Sequence, residues 1–129
     1  MNGEPREERR VARFLLASSQ FARTTGRVKV GAFLPPANGR LSVFDTTRAD
    51  EDAIWSLGRI HVAEPRRKTL HGRADLDVKA VHDQGLRIDV APPPPEHANV
   101  VGWPADDGAQ EAVALQLAER SRLVLNPSP

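Results

Sequence analysis

The stretch from Thr69 to Asp77 alternates strictly and constrains the fold more than any other part of the chain. Leu70, Gly72, Ala74 and Leu76 fall on one side, and His71, Arg73 and Asp75 on the other. Successive side chains of a strand point to opposite faces, so this pattern predicts a half-buried strand. A short helix is expected next, capped by Asp77 or Asp75, burying Val78 and Val81 and ending at Gly85. Leu86, Ile88 and Val90 then alternate with Arg87 and Asp89 as a second strand. The whole unit spans about 22 residues, close to the lower limit for a buried crossover.

The flanking segments read in the same way. Helical spacing of Val11, Phe14, Leu15 and Ser18 predicts an amphipathic helix from about Pro5 to Phe21, with Pro5 in its first turn. Val28, Val30, Ala32 and Leu34 alternate with Lys29, Gly31 and Phe33, and Leu41 and Val43 alternate with Ser42 and Phe44. With Pro35 to Gly39 as turn chemistry between them, these two runs predict an antiparallel hairpin. Thr46, Thr47 and Asp50 are candidate caps for a helix that carries Ile54 and Leu57 inward, with Trp55 beside them and Pro65 as its stop. Pro92 to Pro95 read as stiff polyproline II. His97 to Pro104 read as a short strand or ordered loop, Gly108 to Arg120 as a last helix burying Val113 and Leu117, and Leu123 to Leu125 as a final strand. Intermixed helices and strands with short connections predict one α+β domain over residues 1–129, with loose ends at about 1–4 and 126–129. Its sheet is expected to be mostly antiparallel, with four to five strands covered by two to three helices.

Composition narrows the function classes. The chain has no cysteine, which removes disulfides, thiolate metal sites and thiol nucleophiles and suits a reducing compartment. Residues 1–10 carry charges of both signs and lack the apolar stretch of a signal peptide. No run of about 18 apolar residues occurs, so no membrane-spanning helix is expected. A cytoplasmic setting follows as an expectation. With 18 basic and 17 acidic residues the net charge is +1, and this balance argues against a nucleic-acid partner. Fifteen of the basic residues are arginine, a bias that a GC-rich coding sequence explains as well as phosphate binding does.

None of the phosphate-loop, dinucleotide, zinc-protease or nucleophile-elbow motifs occurs. Two places can carry chemistry. The first is the strand face of His71, Arg73 and Asp75, where an imidazole could move a proton and a guanidinium could clamp an anion; the plain alternative is a solvent-facing polar strand. The second is Glu96 to Pro104, where His97 and Asn99 share a face if extended and Trp103 could wall an apolar pocket. There the plain alternative is a structural corner with Trp103 in the core. A joint site would use His97, Arg73, His71 and Asn99 as catalytic residues on a nucleotide or other phosphate-bearing substrate. The basic turn Arg66, Arg67 and Lys68 is a candidate contact for phosphate, set against ordinary solvation. The four histidines, His61, His71, His82 and His97, have no close ligand spacing, so no metal and no cofactor are expected. Size, neutral balance and missing catalytic motifs favour a macromolecule-binding accessory module with a protein partner; a small metal-independent His/Arg enzyme is the alternative.

Overall fold

The computed structural model of the chain describes residues 8–129. Among these residues eight strands form: β1 (Arg10–Leu15), β2 (Phe21–Ala22), β3 (Arg27–Val28), β4 (Leu41–Asp45), β5 (Gly72–Asp77), β6 (Arg87–Val90), β7 (His97–Val101) and β8 (Arg122–Leu125). Six of them make one antiparallel sheet in the order β6-β7-β4-β1-β5-β8, and β2 and β3 make a separate ribbon. Helices α1 (Glu51–Gly58), α2 (Glu64–Arg66), α3 (Val78–Asp83) and α4 (Asp107–Arg120) complete the α+β architecture.

Both faces of the sheet are covered. On one, Val11, Leu15, Val43, Leu76, Ile88 and Val100 meet Val78 and Val81 of α3 and Ala114 and Leu117 of α4. On the other, Ala12, Phe14 and Phe44 meet Ile54 of α1, Ala63 and Leu70. Helix α1 comes very close to β1: a Cβ on Gly58 would lie 2.6 Å from two ring carbons of Phe14. Glycine is therefore required there by contact, although it weakens the helix itself.

The helix expected over Pro5 to Phe21 is instead strand β1 followed by a 3₁₀ turn at Ser18–Gln20, with residues 1–7 outside the described part. The reason is burial on two sides. Val11 and Leu15 enter one core and Ala12 and Phe14 the other, as a central strand demands. β1 pairs with β5 along its full length, from Arg10 opposite Asp77 to Leu15 opposite Gly72.

The expected hairpin also gives way, although β4 is correct. Its first half is only the two-residue β3, paired with β2, and Val30–Ala32 coils into a 3₁₀ turn. Ala32 and Phe33, adjacent in sequence, are both buried, which a strand would not allow on one face.

Pro65 does not stop the second helix. The chain passes from α1 through a π turn at Arg59–Ala63 into α2, ending where Arg67 takes a left-handed conformation. In the π turn the Glu64 N–H donates to the Arg59 carbonyl, five residues back. That slip makes room for the ring of Pro65 one residue later. The strand–helix–strand unit forms, but β5 and β6 are not neighbours: β1, β4 and β7 lie between them. The four prolines make the turn between β6 and β7, with Pro92–Pro93 and Pro93–Pro94 peptides cis, in place of polyproline II. Near the C-terminus, Asn126 Nδ2 donates to the Leu70 carbonyl at 2.9 Å, and Asn126 N–H bonds the His71 carbonyl. Among the described residues no helix is long and apolar enough to cross a membrane.

Candidate functional site

His97 opens β7 opposite Phe44 of β4, and Asn99 stands opposite Ser42 in the same ladder. Side chains one diagonal apart on a sheet face can meet, and His97 Nε2 lies 2.8 Å from Ser42 Oγ. Its other nitrogen, Nδ1, is 2.9 Å from the Ala91 carbonyl. A carbonyl only accepts, so Nδ1 carries the proton. In the neutral ring Nε2 is then the acceptor and the Ser42 hydroxyl the donor. Phe44 meets the imidazole edge to face at 5.4 Å between ring centres, which fixes its plane.

This pair borders a cavity of about 260 Å³ on the face of the sheet that carries α1. Its polar side chains are Arg13, Gln20, Ser42, His61, Arg66 and His97, and among the described residues no acidic one lines it. Phe14, Leu16, Phe44 and Val62 supply apolar wall. His61 and Val62 come from the π turn and Arg66 from α2, so the unusual helical segment forms one side of the cavity.

Arg13 sets the charge. It occupies the fork where β1 leaves β4, since only Val11–Asp45 and Ala12–Phe44 are paired between these strands. Its guanidinium fills the gap, Nε donating to the Ala32 carbonyl at 2.9 Å and Nη1 to the Ser42 carbonyl at 3.1 Å. Among the described residues it has no carboxylate partner. Burial, with the nearby positive charge of Arg66 adding to it, pulls the Arg13 guanidinium down to about 10. Arg66 itself donates to the Val62 carbonyl and is otherwise exposed. Two guanidinium groups thus face one small cavity that, among the described residues, has no acidic lining.

Of the residues expected from sequence, His97 and Arg66 are brought together here. Arg73 is not. It is 1 % exposed and binds Glu51 through Nη1 and Nη2 at 3.1 and 2.8 Å and Asp75 through Nε and Nη2 at 2.8 and 3.2 Å. The ring of Trp55 lies 4.7 Å from its guanidinium carbon. Burial lowers the affinity of Arg73 for its proton, but the bonds from Glu51 and Asp75 outweigh that and raise its pKa. The expected solvent-facing strand face is therefore an ion cluster around a buried arginine that is fully committed. His71 lies against Phe21, 5.9 Å between ring centres. Trp103 packs on the main core and donates its indole N–H to the Val100 carbonyl. Arg67 ends the helix, and Lys68 borders a separate groove with Trp55 and the C-terminal residues 126–129.

Arg13, Ser42, His61 and Gln20 were not singled out as one site by sequence. Only Arg13 leaves a trace there, as a charge inside the apolar run Val11–Leu16. Among the described residues no three side chains of the metal-binding types lie close enough to hold an ion.

Comparison of the chain with protein families, curated proteins and solved structures finds no match.

Proposed function

We propose that the protein binds a compact oxyanion ligand, a phosphate ester of a small alcohol being the best fit, in the cavity between β4, β7 and the π turn. One observation carries this reading: Arg13 and Arg66 face the same cavity, the first half-buried and held only by carbonyls, with no acidic residue among the described residues of the lining. A half-buried guanidinium with donors turned to a cavity favours an anion there, and phosphate matches its donor fork. The volume of about 260 Å³ lies at the small end of the range for ligand pockets, which suits a compact guest. This favours the small His/Arg protein acting on a phosphate-bearing compound, with Arg13 and Arg66, rather than Arg73, as its anion clamp. A cytoplasmic setting, where such esters abound, belongs to the same reading.

The competing reading, an accessory module with a protein partner, rests on size and charge balance. Its exposed apolar side chains, Leu34, Ile60, Val90 and Leu115, belong to four separate segments and add no support.

Calorimetric titration with inorganic phosphate and with glycerol phosphate separates the two. Saturable binding is expected, and Arg66→Ala should weaken it about tenfold, the value of one charge-assisted hydrogen bond. No binding by the unmodified protein, or equal affinity in the variant, rejects the reading.

A further inference from the structure

We infer that Ser42 and His97 are a nucleophile and its general base, and that the protein hydrolyses a carboxylic ester bearing the oxyanion group that Arg13 and Arg66 hold. The inference rests on the anion-binding reading above and adds a reaction to it. Three features set this pair apart from an incidental hydrogen bond. The Ser42 Oγ to His97 Nε2 distance of 2.8 Å is that of a hydroxyl poised to pass its proton to the ring. The far nitrogen is anchored on the Ala91 carbonyl at 2.9 Å, which fixes the tautomer that leaves Nε2 free to accept. Both residues open onto the cavity, beside the two guanidinium groups, and the Ser42 main chain is itself held by Arg13.

The step balances without a metal or a redox partner. Ser42 Oγ bonds to the ester carbonyl carbon while its proton moves to His97 Nε2. The bond from that carbon to the alkoxy oxygen then breaks, and the alcohol leaves with the proton from His97. Water attacks the acyl-serine, gives its proton to the same nitrogen, and the acid departs as Ser42 regains a proton. One ester and one water become one acid and one alcohol.

Diisopropyl fluorophosphate, which esterifies an activated serine with loss of fluoride, tests the pair on the full chain by mass spectrometry and peptide mapping. A single adduct on Ser42 is expected. It should be slowed at least a hundredfold in His97→Gln, which keeps a polar group in place, and by saturating inorganic phosphate in the unmodified protein. An adduct on Ser18 or Ser19 instead, none at all, or labelling of Ser42 that ignores His97→Gln or phosphate overturns the inference. If phosphate still binds by calorimetry in that case, the cavity reading stands and only the reaction falls; if phosphate fails to bind as well, both fall.

Discussion

Arg13, half-buried, and Arg73, fully buried, stand in the same sheet and differ in what meets them. Arg73 has two carboxylates and an indole; Arg13 has two carbonyls and open cavity. The first arrangement closes its own charge, and the second leaves it for a ligand. Removing Arg73 should therefore act on stability. Arg73→Ala strands Asp75, whose side chain is only 13 % exposed, and should cost about 3–5 kcal/mol in urea unfolding. Arg73→Lys should recover only part of this, because an ammonium cannot fork to both carboxylates. Neither change should alter phosphate affinity, since Arg73 lies outside the cavity lining.

At the level of elements, α1 is tied to the sheet through its first turn. Asp50 caps the helix by accepting from the Ala53 N–H, and Glu51 reaches Arg73. The hydrogen bond from Arg73 holds the Glu51 carboxyl below its ordinary 4.5, against a smaller opposing effect of desolvation. A carboxyl depressed in the folded state stabilises above its unfolded pKa and loses that contribution as the pH falls through the folded value. Glu51→Gln should thus be less stable than the parent at pH 7, by no more than about 1 kcal/mol because the side chain is 65 % exposed, and the gap should narrow as the pH falls below 4.5. Thermal melts from pH 7 to pH 3 check this. The elements from β5 onward were legible in sequence because their apolar residues recur at a regular spacing between polar ones and Gly, Pro or Asp marks many of their ends. β1 was not, because a strand buried on both faces has no period to read. The β3–β4 connection failed for another reason: its alternation is real, but the 3₁₀ turn uses Ala32 and Phe33 together to fill the core. The site was legible only where a single segment carried it, as at His97. Ser42, Arg13 and His61 come from a strand, another strand and a π turn, and no spacing along the chain links them.

For the whole molecule, a net charge of +1 conceals a local excess of positive charge around one cavity. Long-range steering of an anion should be weak, while a bound one is held at short range. A ligand that binds only the folded chain stabilises it, by about 2.7 kcal/mol at a hundred times its dissociation constant. Phosphate at that level should raise the melting temperature by on the order of 10 °C, and chloride at matched ionic strength should not. The strand order has a separate consequence during synthesis. β1 emerges first, yet its full-length partner β5 ends at Asp77, opposite Arg10. At roughly 5–20 residues per second, the ribosome exposes this two-sided apolar strand for several seconds before anything can cover it along its length. The middle of the finished sheet is thus the segment a nascent chain must shelter longest.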